Sequence, residues 1–219
     1  MSHCHDEEHE EGHNHSHEGH DHDGPDRGEQ SSLFKVIDVD RIRAFNVCND
    51  EESARKVFKP WDKRFDHEPY LESDSDNQLI IFVPFTGMVK LKSILIMGGP
   101  NEMMPKTLKV FTNREDVDFD SVDTTTPLQE WGLIDTTTTA AREIPEYPTR
   151  MAKFTSVRNI TLFISNNYGD EKTRISYIAF KGEWTELKKD PLITIGEFAA
   201  NPADHIKLQG KHAVDHMIR

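Results

Sequence analysis

Histidine is the side chain best placed to do chemistry in this sequence, and eight of the twelve lie close together: His3, His5, His9, His13, His15, His17, His20 and His22. Neutral imidazoles at such spacing bind zinc, nickel or copper. Closing a chelate on an unfolded chain costs entropy, so weak binding without fixed stoichiometry is expected. His9-Glu10-Glu11-Gly12-His13 spells HExxH, the pattern that sets two zinc ligands and a general base on one helix face. Gly12 and the wholly polar surroundings supply neither that helix nor a cover for zinc-bound water, so no catalytic zinc is expected. The same imidazoles would cancel most of the segment's negative charge near pH 6.

Other constellations are weaker. Asp116, Asp118 and Asp120 imitate the start of a calcium loop, but Ser121 stands where glycine is needed and Pro127 where the closing glutamate would be. Asp74 and Asp76 could contribute to a calcium site; keeping a strand edge charged and unpaired is the simpler reading. Cys4 and Cys48 are the only cysteines and form no CxxC, which excludes a disulfide framework and a cysteine zinc site. Asn159-Ile160-Thr161 matches a glycosylation acceptor by letter but falls on an expected core strand. No phosphate-binding loop, dinucleotide fingerprint or nucleophile elbow is present, and no enzyme activity is expected.

The elements that would position any site lie downstream of the histidines. Residues 1–30 carry ten acids against one base, −9 of the total −13. With almost no apolar side chain to offset ordering entropy, a disordered tail is expected there. Residues 31–219 are nearly balanced in charge, so neither nucleic acid nor an anionic membrane is an expected partner. No stretch approaches the roughly 18 apolar residues of a membrane span, and the N-terminus lacks an apolar signal core, so a monomer of cytoplasm and nucleus is expected.

Length favours one domain of sandwich size plus a tail over two domains; the domain is expected over 31–205, with a polar tail over 206–219. Leu33–Ile37 reads as extended; Val36, Val39, Ile42 and Phe45 suggest a short helix capped by Asp38 or Asp40. Leu79–Val83 and Val89–Met97 read as two strands joined by a turn at Phe85-Thr86-Gly87. Lys56–Lys59, Leu108–Thr112, Ala152–Phe154, Ile160–Ser165, Arg174–Lys181 and Leu192–Ile195 are further strand candidates. Asn113–Pro148 reads as a long surface excursion with room for one short strand. Many short strands with Gly, Pro, Asn and Asp between them predict an antiparallel sandwich. Phe58, Phe82, Trp131, Phe163, Tyr177 and Trp184 are candidate core aromatics. Trp61, between Pro60 and Asp62, is assigned to a loop.

Four separated words carry a family resemblance: Phe58–Arg64 (FKPWDKR), Glu72–Gly98, Phe180–Leu187 (FKGEWTEL) and Asn201–His205 (NPADH). In this order they resemble the PITH domain, the C-terminal module of proteasome-interacting thioredoxin-like proteins, over about Leu33 to His205. The resemblance implies an all-β, jelly-roll antiparallel β-sandwich of the galactose-binding-like kind with one short N-terminal helical segment. It also implies association with the regulatory particle of the 26S proteasome in ubiquitin-dependent turnover. The missing CxxC means that no oxidoreductase activity carries over.

Candidate partner contacts are Lys59, Pro60, Trp61, Asp62, Lys63, Glu183 and Trp184. Ile218 and Arg219 join them because they are similar to the C-terminal Ile-Arg docking tail of a sandwich subunit of the anaphase-promoting complex. Two other classes stay open: a metal- or pH-responsive protein acting through the histidines, and a small-ligand-binding sandwich. A polar pocket with convergent carboxylates would favour the ligand, and loop aromatics the partner protein.

Overall fold

A computed structural model describes residues 29, 31–48, 50–136 and 143–186. Its strands are β1 (Arg43–Phe45), β2 (Leu71–Glu72), β3 (Leu79–Gly98), β4 (Pro105–Thr112), β5 (Gln129–Gly132), β6 (Glu146–Pro148), β7 (Val157–Asn167) and β8 (Arg174–Thr185). The first half of β3 pairs with β1 and β7, and β7 leads on to β4 and β5. The second half pairs with β6 and β8, and β8 with β2. Every pairing is antiparallel. One strand therefore belongs to two sheets, and its register shift between Pro84 and Val89 marks the bend where it passes from one to the other. Bends of this kind make the corners of packed sheets.

The core between the sheets follows from strand alternation and its interruptions. Leu79, Ile81, Val83, Phe85, Val89 and Leu91 are buried in one cluster at every second position, whereas further along the strand Ile94 and Ile96 belong to it. The parity changes because the register against β8 shifts between Leu91 and Ser93, which makes Lys92 an extra residue. A second shift opposite Met97 and Gly98 does the same on β8, turning Ile175, Ile178 and Phe180 inward. Two smaller clusters cover the outer faces. Val117 and Val122 pack on Ile80, Phe111 and Phe163, and Ile144 with Trp61 packs on Leu95, Tyr177 and Ala179.

The expected turn at Phe85-Thr86-Gly87 is extended strand. Gly87 is there because a Cβ would meet Trp184 Nε1 at 2.3 Å and the Thr185 carbonyl at 2.7 Å, so it signals close approach of another strand rather than a reversal. Leu33–Ile37 is not extended either: Phe34–Val36 forms a 3-10 turn and Val39–Arg41 another, with Asp38 at the second N-cap without a side-chain bond. The six-residue helix α1 spans Glu51–Lys56, overlapping the expected strand Lys56–Lys59, because Glu-Glu-Ser-Ala-Arg-Lys is built of helix formers. Ala152–Phe154 lies in a 3-10 turn, Met151–Lys153.

The Asn113–Pro148 excursion carries two strands, and its Val117, Val122, Leu133 and Ile144 are buried. The core reading holds for Phe58, Phe82, Phe163 and Tyr177 and fails for Trp184, which is 43% exposed at the end of β8. Trp131 is half-buried, donating Nε1 to the Pro148 carbonyl at 3.0 Å. Leu192–Ile195 lies outside the described residues.

Candidate functional site

The word Phe58–Arg64 folds as an anchor followed by a display. Phe58 is buried and stacks on Phe180, centroids 6.0 Å apart. Lys59 is buried too, at 6% exposure, and donates Nζ to the Asp66 carbonyl at 2.7 Å. Desolvation lowers its pKa, with Asp66 and Glu68 opposing. Pro60, at φ −62° and ψ 160°, sits at the N-cap of the 3-10 turn Trp61–Lys63. Its fixed φ suits that position, and its missing N–H leaves nothing unsatisfied there.

Trp61 is half-buried over Leu95, Ile144, Tyr177 and Ala179 on the outer face of the second sheet. Arg64 lies 4.3 Å from its ring centre and 4.7 Å from that of Phe65, and its Nη1 donates to the Trp61 carbonyl at 2.9 Å. Beneath this stack burial pushes the Tyr177 phenol up to about 12, so it stays neutral. Asp62 and Lys63 are exposed beside the turn.

A charged ladder extends the face along β8 and β3. Lys181 Nζ lies 5.2 Å from the Trp61 ring centre and 2.6 Å from Glu146, whose other oxygen accepts from the Ser93 hydroxyl at 2.5 Å. Glu183 accepts from Lys92 at 2.7 Å and pairs with Lys90 at 3.7 Å. Burial pushes the Glu146 carboxyl up, but the bonds from Lys181 and Ser93 outweigh it and hold the group below the usual carboxylate range.

A depressed carboxylate stabilises the fold above its unfolded pKa and loses that contribution as pH falls through the folded one. Glu146→Gln is therefore expected to lower the urea midpoint slightly at pH 7. It should also flatten the loss of stability below the ordinary value of 4.5. Identical acid profiles for the two proteins would mean that the pair contributes nothing.

The expected partner residues are thus divided. Trp61, Asp62, Lys63 and Glu183 share the outer face; Lys59 is beneath it. Alternation along β8 sets Trp184 on the side opposite Glu183, against Gly87. Ile218, Arg219 and the eight clustered histidines lie outside the described residues. Arg64 and Phe65 were readable at i+3 and i+4 from Trp61.

A cleft behind Phe65 was not readable, because its lining comes from distant segments. It measures about 430 Å³, and its lining includes Phe65, His67, Glu68, Gly99, Glu143 and Arg174. Arg174 donates Nε and Nη2 to Glu72 at 2.9 and 2.5 Å and stacks 3.8 Å from the Tyr70 ring centre. A Cβ on Gly99 would meet the Arg174 side chain at 2.5 Å, so glycine there lets the arginine lie flat. Among the described residues no three His, Cys, Asp or Glu gather as a metal site. Asp116 is tied to Arg114 and Asp118 to Ser121.

These strands and their loops define an antiparallel β-sandwich of the galactose-binding-like class. Among solved structures it is similar to the CBM32-1 and CBM32-2 domains of ZmpB from Clostridium perfringens, with TM-score 0.52 and 13% identity over 72% of this chain and 38% of that one. The same domains in complex with GalNAc match at TM-score 0.50, 11% identity, 68% of this chain and 35% of that one. The chain belongs to the PITH domain family, whose model matches residues 23–200. PITH domain-containing protein 1 of Xenopus laevis is 39% identical over 201 residues, 88% of this chain and 93% of that protein. Its Homo sapiens counterpart is 37% identical over 180 residues, 82% of each. A PITH domain-containing protein of Schizosaccharomyces pombe is 36% identical over 184 residues, 83% of this chain and 86% of that protein.

Proposed function

We propose that this PITH domain is a non-enzymatic protein-interaction module that docks on the regulatory particle of the 26S proteasome, as an adaptor or regulator of ubiquitin-dependent turnover in cytoplasm and nucleus. The observation that carries the reading is the Trp61–Arg64–Phe65 stack. A half-buried indole, a guanidinium and an exposed phenyl are held on a short turn against a rigid sheet. Aromatic and arginine side chains fixed in this way supply most of the energy of protein interfaces. The rim of Lys90, Lys92, Lys181, Glu146 and Glu183 pairs internally, so it would tune register and on-rate more than affinity. The family's resemblance to proteasome-interacting proteins supplies the partner.

The test is capture of purified regulatory particle by the immobilised full chain, with lid subunits as the readout. Co-elution that persists at about 150 mM salt supports docking, since that ionic strength screens non-specific charge contacts beyond about 8 Å. Failure to retain the particle at that salt sinks it.

A further inference from the structure

A run of uncompensated positive charge lies where β6 leads into β7. From Tyr147 to Gly169 the chain carries Arg150, Lys153 and Arg158 and no acid, in a protein whose net charge is −13. All three cations are exposed, and among the described residues none of their side chains makes a hydrogen bond, an ion pair or a ring contact. The neighbouring acids are engaged elsewhere. Glu146 is bonded by Lys181, and Asp116 by Arg114, which shares a shallow hollow of about 320 Å³ with Lys153. Glu130 stands opposite Lys109 in the pairing of β5 with β4.

The loop is fixed to β3 at both ends. Thr149 donates its N–H to the Lys92 carbonyl at 2.9 Å and its hydroxyl to the Leu91 carbonyl at 2.7 Å. Five residues on, the Phe154 carbonyl accepts from the Leu91 N–H at 3.0 Å. The place where the chain enters the sandwich then decides what can reach this loop. The Ser31 carbonyl accepts from the Gly182 N–H at 2.8 Å, Gly182 pairs with Leu91, and Leu91 bonds Phe154. Three strand spacings of about 4.8 Å separate Ser31 from the loop, about 14 Å in all. Residues 1–28, outside the described residues, would span about 42 Å even wound as a helix. They hold nine acids against Arg27 alone.

We propose that the acidic, histidine-rich segment, residues 1–28, folds back onto the basic loop of Arg150, Lys153 and Arg158 and covers it. Tethering selects this occupant. A free polyanion must overcome the repulsion of a chain at −13, whereas the attached segment acts at an effective concentration in the mM range. Weak charge contacts, each screened beyond about 8 Å at physiological salt, add up without one fixed bound geometry. The cations nearer Ser31, namely Lys90, Lys92 and Lys181, already answer to Glu183 and Glu146, so the segment gains more at the loop. This cover holds whether or not the domain docks on the proteasome.

The experiment uses the full chain with Cys48→Ser, so that a nitroxide can be placed on Cys4 alone. The label should broaden the amide resonances of Ala152, Lys153, Thr155 and Arg158 at about 50 mM salt. The signals should recover at about 500 mM, where the screening length falls to about 4 Å. Gly169, past the far end of β7, is the reference and should broaden less. Arg150→Glu with Lys153→Glu and Arg158→Glu should abolish the salt-sensitive broadening, and because all three residues are exposed the fold should be kept. Octaglutamate is then titrated into the parent and into a full-length variant in which every acid of residues 1–28 is replaced by its amide. The neutral variant should bind the peptide at least about fivefold more tightly, since the tethered competitor is gone. That advantage should vanish when the three charge reversals are added.

Broadening at the loop that ignores salt or survives the charge reversals overturns the proposal. So does equal affinity of the parent and the neutral variant for octaglutamate. Binding of phosphatidylserine vesicles by both proteins alike would assign the loop to a lipid surface and overturn it too.

Discussion

Phe180→Ala is expected to destabilise the domain by about 3–5 kcal/mol, the range for deleting a buried phenyl ring. The ring is 1% exposed, stacks at 22° on Phe58 and meets Phe85 edge-on at 5.6 Å. Those partners come from the link after α1 and from the bend of β3, so Phe180 joins three segments that are far apart in sequence. The backbone around it is held by β3 on one side and by the Leu33 N–H, which donates to the Phe180 carbonyl at 2.9 Å, on the other, so the cavity cannot collapse fully. For a chain of this size each kcal/mol moves the thermal midpoint by about 2–4 °C, giving a drop of about 6–20 °C. Ile134, 57% exposed, is the control: its change to Ala should stay within about 0.5 kcal/mol. A loss below about 2 kcal/mol for Phe180→Ala in urea titration would contradict the packing described above.

Trp61→Ala is expected to weaken capture of the regulatory particle about thirtyfold, the equivalent of about 2 kcal/mol for an aromatic anchor. The structure adds a second effect, because the indole also covers Leu95, Ile144, Tyr177 and Ala179. Its removal should destabilise the fold by about 1–3 kcal/mol. Binding must therefore be measured well below the variant's thermal midpoint, with circular dichroism confirming the folded state. Arg64→Ala serves as a second variant, since it strips the top of the stack while leaving Trp61 over its cluster. Trp184→Ala, on the opposite side of β8, should leave capture unchanged. A folded Trp61→Ala that binds like the parent would place the docking surface elsewhere. Sensitivity at Trp184 with indifference at Trp61 would move it to the end of the sandwich where β3 bends.

The sandwich class was legible because alternation and punctuation are local properties. Leu79–Val83, Leu108–Thr112, Ile160–Ser165 and Arg174–Lys181 all fall inside observed strands, since β-branched and aromatic runs suit a pleated, half-buried surface. The errors also share a local cause. Phe85-Thr86-Gly87 looks like a turn because glycine is a turn residue, and only the neighbouring Trp184 and Thr185 reveal that it permits a close approach. Trp184 looks like core because it sits in an apolar strand. It is exposed because its place lies at the end of the pairing between β8 and β3, opposite Val89.

The candidate site divides in the same way. The display of Trp61 followed from Pro60, which starts the turn through its own covalent ring. The burial of Lys59 one residue earlier did not, because it depends on where the loop through Asp66 returns. The cleft lay wholly beyond sequence reasoning. Phe65, Gly99 and Arg174 are brought together by β8 crossing the end of β3, and the clamp on Arg174 spans 102 positions to Glu72. The amino-acid sequence by itself determined the class of fold, the family and the loop aromatic, all set by patterns a few residues long. Which strand serves two sheets, which tryptophan faces outward and which distant residues line one cleft were decided by the tertiary structure. The reason is physical: bulges shift strand parity one residue at a time, and long-range pairing then fixes which side chains share a face.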